Sequence, residues 1–200
     1  MTLTVVLLAY LLGSVSCAVI TSRIWRLPDP RTYGSGNPGA TNVLRSGKKA
    51  AALATLLGDC VKGWVAVALV HQLVDETTIE SAMAFAAVGV VVGHIYPVFF
   101  RFQGGKGVAT ALGAILGLNA YVAIGSLATW LIMAAFFRIS SLAALVAAIF
   151  APFFTWLLYD ASHPYFAAVS VISVLLIWRH RANIRNLLSG KESRIGSSGS

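Results

Sequence analysis

The amino-acid sequence predicts an all-α integral membrane protein with about seven transmembrane helices, one of them short. Apolar residues make up 58% of the 200 residues and charged residues only 11%, whereas a soluble chain carries about 25% charge. The apolar residues also form stretches of the length that a membrane-spanning helix needs. A soluble globular enzyme and a disordered chain are therefore excluded.

Seven apolar stretches can be marked along the chain. Five are long enough for a helix that crosses the hydrocarbon layer, which takes about 20 residues, and the last fits if its ends extend a little. The fourth is too short for a straight span, so we expect a half-helix, or a span sunk towards one face, beside a protein-lined cavity. The stretches cover residues 3–22, 50–72, 82–100, 107–118, 120–137, 142–159 and 164–178.

The basic residues predict the orientation of these stretches. The formal net charge is +8, and basic connections alternate with acidic ones. If seven segments alternate, every basic connection falls on one side, which the positive-inside rule assigns to the cytoplasm. The N-terminus is then outside and the C-terminus cytoplasmic. The basic connections are 23–49, 101–106, Arg138 and the segment after 178; the acidic ones are 73–81 and 160–163.

The sequence predicts a single polytopic membrane domain over residues 1–190. The first stretch is expected to be a permanent helix rather than a signal peptide, because no cation precedes Arg23. Residues 191–200 are polar and rich in Ser and Gly, which predicts a flexible cytoplasmic tail. We exclude its last five residues from any site.

The segment GSGNPGATNVLR at 34–45 contains three glycines and a proline within 34–39, which demand unusual backbone angles. Such backbone lets N–H groups converge on one concavity. Arg45 adds a bidentate fork suited to phosphate. The alternative is a Gly/Pro-rich turn with an ordinary arginine, but the lack of a bulky core side chain before Val43 favours an anion site. The neutral hydrogen-bonding groups here are Ser35, Asn37, Thr41 and Asn42.

The segment GGKGVAT at 104–110 places a lysine between glycines, just before a predicted helix. It is not a Walker A motif, because Phe100 and Gly107 stand where that motif needs Gly and Ser or Thr. We expect Lys106 to lie near a helix N-terminus, with the glycines letting a phosphate approach the backbone. The alternative is one more cytoplasmic lysine.

The segment RHRANIRNLLSGKE at 179–192 is basic. If the last helix continues, His180 and Asn183 share one face, and Arg181 and Arg185 lie on an adjoining face. A basic tail after a final span usually binds anionic lipid. The His-x-x-Asn pair and Glu192 exceed what such an anchor requires, so both interpretations stay open on the residues alone.

Other polar groups lie within or beside the spans. Asp59 and Lys62 are three residues apart on the second stretch, and we interpret them as an ion pair, with a substrate role as the alternative. His94, before Pro97, is interpreted as a capping or interfacial group. Ser140 or Ser141 is expected to cap the sixth helix, with binding of a polar substrate as the alternative.

Metal and cysteine chemistry is not expected. The two cysteines lie in apolar runs without metal-ligand spacing, and no His and carboxylate set near the cytoplasmic face has a recognisable ligand pattern.

The three segments resemble, in order, the three signature motifs of the bacterial acyl-phosphate:glycerol-3-phosphate acyltransferases. The D-x-x-K-G at 59–63 and the R-x-x-S-L ending at Leu142 are also similar to that family, and the resemblance runs from about Leu11 to Glu192. One departure is Ala182, where a Glu is common. The resemblance implies a multi-pass enzyme of the bacterial inner membrane, with its active site on the cytoplasmic side.

The implied reaction transfers an acyl group from an acyl phosphate to the 1-hydroxyl of sn-glycerol 3-phosphate, the first step of phospholipid biosynthesis. Neither acyl-CoA nor acyl carrier protein is expected, and no cofactor or nucleic acid. The His-x4-Asp pair of acyl-CoA-dependent enzymes is missing, since no histidine has Asp at that spacing. His180 and the departing phosphate both remain possible proton acceptors.

Three residues are the catalytic candidates: His180, Asn183 and Ser35. The candidates for binding substrate and phosphate are Gly34, Ser35, Gly36, Asn37, Gly39, Thr41, Asn42, Arg45, Gly104, Gly105, Lys106, Gly107, Ser141, His180, Arg181, Asn183 and Glu192. The rival functions are a transporter or channel for an organic phosphate and a lipid-binding scaffold. All three motifs on one side, and no inverted repeat, disfavour the transporter.

Overall fold

A computed structural model describes residues 2–195, and every regular element in that range is helical, which confirms the all-α prediction there. Two short 3₁₀ turns, Glu76–Thr78 and Val98–Phe100, accompany the α-helices. The helices are α1 (Thr2–Gly13), α2 (Cys17–Ile24), α3 (Ala40–Leu44), α4 (Lys49–Ala68), α5 (Val70–Leu73), α6 (Ile79–Ile95), α7 (Val108–Leu118), α8 (Ala120–Phe137), α9 (Ser140–Leu158), α10 (Pro164–Arg179) and α11 (Arg181–Leu188).

Five segments are long and apolar enough to cross a membrane. Two shorter apolar helices, α7 and α10, coincide with the fourth and seventh predicted stretches. The count of seven crossings and their orientation stay predictions. The five segments are Leu3–Ile24, Lys49–Leu73, Glu76–Phe100, Ala120–Phe137 and Ser140–Leu158.

The first apolar stretch contains a break that the sequence analysis did not predict. The Ser14 hydroxyl donates to the Tyr10 carbonyl at 2.9 Å, and Ser16 caps α2 by accepting from the Val19 N–H at 3.4 Å. These side chains supply hydrogen bonds where the helical ladder stops. The break leaves the Val15 carbonyl available, and Lys62 of α4 donates to it at 2.7 Å.

Gly107 and Asn119 set the two ends of the short helix α7. Gly107 precedes it with φ +89°, a left-handed conformation that glycine adopts readily. It ends at Leu118 because the Asn119 side chain caps α8, accepting from the backbone N–H of Tyr121 at 2.8 Å and of Val122 at 3.2 Å. Its 11 residues span about 16 Å, roughly half of a hydrocarbon layer.

Close helix packing positions the loop before α7. α4 packs along α7, and a Cβ atom at Gly63 or Gly113 would clash with the backbone of Thr110 or Cys60 across this contact. α6, the most buried spanning segment, also packs against both α4 and α7. The N-terminus of α7 is therefore fixed against the end of α6 that carries His94.

Candidate active site

The three predicted motifs meet at one end of the helices, together with the start of α9. Hydrogen bonds join segments that are far apart in the sequence: Thr41 to Ser140 at 3.3 Å, and Arg45 to Ser193 at 2.6 Å. Arg179 contacts the loop before α7, as described below. The three segments that the sequence analysis selected as phosphate-binding candidates therefore lie close together in the structure.

The loop at 34–45 is held from within by Asn42. The Asn42 side-chain N–H groups donate to the carbonyls of Pro30 at 2.7 Å and Tyr33 at 3.1 Å, and its oxygen accepts from the Ser35 N–H at 3.0 Å. Asn42 is only 1% exposed. Its amide is therefore engaged in shaping the loop, although the sequence analysis treated it as a group for contacting substrate.

The exposed part of this loop contains the unusual backbone angles that its glycines predicted. Gly34 and Gly36 adopt φ +58° and +66°, conformations that cost a larger residue energy. Ser35 between them is exposed, and so is Arg45 at the end of α3. The loop thus exposes Ser35 and Arg45, while the N–H groups of Ser35 and Gly36 are bonded to Asn42 Oδ1 and to the Tyr33 carbonyl.

The loop at 104–107 is clamped between His94 and Arg179. The Gly105 N–H donates to the His94 carbonyl at 3.2 Å. From the other side, Arg179 donates from Nη2 to the Gly104 carbonyl at 3.1 Å and from Nε to the Gly105 carbonyl at 3.3 Å. A Cβ at Gly104 would clash with the His94 carbonyl oxygen, and one at Gly105 with Nε2 of the His94 ring. Only glycine fits at these two positions.

Lys106 follows this clamp and lies among other charges. Burial lowers its pKa to about 8, the nearby Glu192 carboxylate opposes that shift, and Arg45 and Arg179 add to it. Together, these four residues come from all three predicted motifs: Arg45 from the first, Lys106 from the second, and Arg179 and Glu192 from the third. The cluster thus carries three cations and one carboxylate around a glycine-rich loop, an arrangement suited to a phosphate group.

His180 is neutral and has a defined tautomer. Its Nδ1 lies 2.7 Å from the Leu176 carbonyl oxygen, which can only accept, so Nδ1 carries the proton and Nε2 keeps its lone pair. Burial lowers the pKa of His180 to about 4, and the Lys106 charge acts in the same direction. The ring is therefore an uncharged hydrogen-bond acceptor at neutral pH.

Glu192 joins α9 to α11. Its Oε1 accepts from the Ser141 hydroxyl and from the Asn183 side-chain N–H, both at 2.7 Å. Ser193 contacts Arg45, and the Ile195 N–H donates to the Arg138 carbonyl at 2.6 Å. The predicted flexible tail thus begins with residues that touch the candidate site, and residues 196–200 lie outside the described range.

Not every predicted site residue joins the cluster. Arg181 is exposed, with its guanidinium 5.1 Å from the centre of the Trp178 ring. Arg179 was not predicted as a site residue, although it holds the Gly104–Gly105 backbone; its only sequence signal was its place in a basic segment. His94 was interpreted as a capping or interfacial group; it is buried rather than interfacial, and its ring lies against Gly105.

A cleft of about 330 Å³ opens beside the cluster. Gly36 and Gly104 bring both glycine-rich loops to its wall, and Arg31 and Arg179 supply cations. The Arg31 charge is balanced by Asp29, which lies 2.6 Å away. Among residues 2–195, no group of three or more His, Cys, Asp or Glu side chains could hold a metal ion.

Comparison with known proteins identifies the family. The family model for glycerol-3-phosphate acyltransferase matches residues 3–190. The glycerol-3-phosphate acyltransferase of Ralstonia nicotianae is 60% identical over 189 residues, covering 94% of this chain and 91% of that protein. The protein of the same name from Herminiimonas arsenicoxydans is 59% identical over 190 residues, covering 94% of this chain and 92% of its own.

The fold matches a solved structure of the same kind. The crystal structure of PlsY, an integral membrane glycerol 3-phosphate acyltransferase, in its glycerol 3-phosphate form has a TM-score of 0.88 and 37% identity, covering 98% of this chain and 96% of that one. Its lysophosphatidic acid form has a TM-score of 0.86 and 36% identity, covering 98% and 95%. The chain therefore belongs to the glycerol-3-phosphate acyltransferase family, integral membrane acyltransferases of phospholipid synthesis.

Proposed function

We propose that this protein transfers the acyl group of an acyl phosphate to the 1-hydroxyl of sn-glycerol 3-phosphate, giving 1-acyl-sn-glycerol 3-phosphate and inorganic phosphate. The observation that carries the proposal is that a cationic, glycine-rich loop and a neutral histidine ring lie close together. Lys106, Arg45 and Arg179 surround a glycine-rich loop, and the neutral ring of His180 lies within reach of the same charges. Cations suit the phosphates of both substrates, and a neutral ring acceptor suits a hydroxyl nucleophile.

The solved relatives support glycerol 3-phosphate as the acceptor and lysophosphatidate as the product. The solved PlsY structures carry the names of a glycerol 3-phosphate form and a lysophosphatidic acid form. A shared fold over 98% of this chain makes the same acceptor the natural choice here. No cofactor is needed for the transfer, since the acyl donor is already activated.

The donor is assigned on chemical grounds. An acyl phosphate has a good leaving group, so no covalent acyl-enzyme is required. Cys17 begins α2 and Cys60 lies within α4, and neither is among the charged groups around Lys106. The missing His-x4-Asp pair disfavours acyl-CoA, and a cationic, glycine-rich surface favours a second phosphate.

The reaction proceeds by direct attack of the glycerol 1-hydroxyl oxygen on the acyl carbonyl carbon. The new C–O ester bond forms as the bond between the acyl carbon and the bridging phosphate oxygen breaks. The N–H groups of Ser35 and Gly36 are bonded within the loop, so the Ser35 hydroxyl and the Asn37 side-chain amide are the groups that stabilise the oxyanion and the donor phosphate. Arg45, Lys106 and the neighbouring glycines hold the phosphates in place.

His180 orients the attacking hydroxyl rather than removing its proton completely. Its Nε2 accepts the hydroxyl hydrogen bond, but a ring with a pKa of about 4 is a weaker base than a phosphate, whose second pKa is about 6. The departing phosphate therefore takes the proton. Asn183, Ser141 and Glu192 fix the helix ends around this step through their shared hydrogen bonds.

The membrane topology belongs to the same proposal. Seven crossings, with the N-terminus outside and the C-terminus cytoplasmic, would put the cluster at the cytoplasmic face of the bacterial inner membrane. The alternation of basic and acidic connections supports this orientation. Labelling of single cysteines, in a chain whose own two cysteines are replaced by alanine, tests it: Ser162→Cys should react with an impermeant thiol reagent from outside, and Ser189→Cys only after lysis.

The function is tested by comparing donors. Detergent-purified protein is incubated with glycerol 3-phosphate and palmitoyl phosphate, palmitoyl-CoA or palmitoyl-acyl carrier protein. We expect lysophosphatidate only with palmitoyl phosphate. No product from demonstrably folded protein, or equal rates with the thioesters, would contradict the proposal. Uptake of glycerol 3-phosphate into sealed proteoliposomes without acylation would favour a transporter.

A further inference from the structure

A buried polar cluster lies between α4, α6 and α7, below the loop at 104–107. It consists of Asp59, Lys62, His94 and Thr110, which are between 0% and 8% exposed. Lys62 Nζ lies 2.8 Å from Asp59 Oδ1, and His94 Nδ1 lies 3.5 Å from the same oxygen. Thr110 Oγ1 lies 3.1 Å from His94 Nδ1. Asp59 of α4 and Thr110 of α7 thus contact the same nitrogen of the His94 ring, which belongs to α6.

The opposite edge of that ring supports the glycine-rich loop. His94 Nε2 faces Gly105 so closely that a Cβ there would clash, and the His94 carbonyl accepts from the Gly105 N–H at 3.2 Å. Lys106 is the next residue in the chain. Any rotation of the ring would change the space for Gly105 and with it the direction of the Lys106 side chain.

The cost of the cluster argues that it does more than fill space. Charged groups inside a membrane-spanning helix are costly, and apolar residues of similar volume often replace a buried ion pair without loss of stability. Within residues 2–195, Asp59 Oδ1 accepts no well-aligned hydrogen bond, so charge holds this oxygen. Lys62 also donates to the Val15 carbonyl, which ties the cluster to the break between α1 and α2.

We propose that Asp59, His94 and Thr110 are positioning residues that set the orientation of Lys106 by bracing the Gly105 backbone from below. This inference rests on the proposed function only in taking Lys106 as a phosphate-binding group. Asp59 and Thr110 fix the ring, the ring fixes Gly105, and Gly105 directs Lys106. None of the three touches substrate.

Thr110→Val tests the chain of contacts with the least disturbance, because valine has the shape of threonine without the hydroxyl. Thr110→Ser restores the hydroxyl. Thr155→Val is the matched control: Thr155 is also buried in a helix, and among the described residues its hydroxyl donates to the Ala151 carbonyl of its own helix, at 2.9 Å. Thermal stability of all three variants is measured beside the wild type, so that loss of fold is recognised.

Two readouts distinguish positioning from packing. The first is the KM for each phosphate-bearing substrate at constant pH, where we expect Thr110→Val to raise at least one KM about tenfold. Thr110→Ser and Thr155→Val should stay within about twofold. The second is the rate at which an amine-specific reagent modifies Lys106, followed by peptide mass spectrometry, which needs no turnover.

A changed Lys106 modification rate in Thr110→Val, absent from Thr110→Ser and Thr155→Val, supports the positioning role. An unchanged rate in folded Thr110→Val overturns it, as does a KM equal to that of Thr155→Val. If the wild type shows no acyl transfer, the proposed function fails, and the modification rates still decide the positioning role.

Discussion

His180 donates its Nδ1–H to the carbonyl oxygen of Leu176, one turn earlier in α10, over 2.7 Å. The bond fixes which ring nitrogen is protonated and points the lone pair of Nε2 away from the helix backbone. The basic segment around it therefore contributes an oriented neutral acceptor as well as cations.

The first prediction separates the two ring nitrogens of His180. In His180→Asn the side-chain amide can still donate to Leu176, but no atom replaces Nε2. We expect kcat to fall by about 10²-fold, because the attacking hydroxyl loses the acceptor that orients it, with little change in melting temperature. His180→Gln, which can place an amide oxygen near the Nε2 position, should retain more activity. Near-wild-type turnover in the asparagine variant would show that Nε2 has no role.

The second prediction concerns alkaline pH and Lys106. Burial lowers its pKa to about 8, so the side chain is cationic below that pH and loses its charge above it. The KM of the wild type for glycerol 3-phosphate or for the donor should rise above pH 8, by up to about tenfold per pH unit. Lys106→Arg keeps its charge at those pH values and should remove the rise. An identical alkaline limb in both proteins would assign it to another group.

The third prediction concerns the coupling of Glu192 to Lys106. The Glu192 carboxylate raises the pKa of Lys106, so removing its charge should move the alkaline limb to lower pH. Glu192→Gln is the suitable variant, because its oxygen can still accept from Ser141 and Asn183. Glu76→Gln, at an exposed turn, is the control and should leave the limb in place. A shift of equal size in both variants would point to a general charge effect.

The fourth prediction tests the close contact of the glycine-rich loop. An added Cβ at Gly105 would meet the His94 ring and, at 3.1 Å, the Pro38 carbonyl oxygen. Gly105→Ala should lower activity strongly and destabilise the protein by about 1–3 kcal/mol. Gly47→Ala is the control: Gly47 has φ +81° but open space around it, so only backbone strain of about 1 kcal/mol applies. Equal activity in both alanine variants would contradict the contact.

The sequence predicted which segments form the site better than it predicted the contacts between their side chains. The glycines in segments 34–36 and 104–107 could be interpreted from the sequence alone, because positive φ angles and close backbone approach both require glycine. The role of Arg179 depends on which carbonyls α10 meets, and one basic segment offers several arginines without distinguishing them. Asn42 looked like a ligand for substrate because its type suits one; its burial under the loop is a property of packing.

The same limit applies to the helices. Hydropathy alone identifies the apolar stretch at 3–22, but the break after Gly13 follows from single hydrogen bonds made by Ser14 and Ser16. His94 lies in an apolar run before a proline, which is also typical of an interfacial residue. Only its contacts with Thr110 and Gly105 give it a place beneath the site.

The central claim is that an acyl phosphate donates the acyl group and that phosphate departs. It is tested most directly with purified protein, palmitoyl phosphate labelled in its phosphorus, and glycerol 3-phosphate labelled in its carbon. The account predicts that labelled inorganic phosphate and labelled lysophosphatidate appear in equal amounts, with the phosphorus label absent from the lipid. Phosphate release without lysophosphatidate, or lysophosphatidate that forms only when a thioester donor is added, would contradict it.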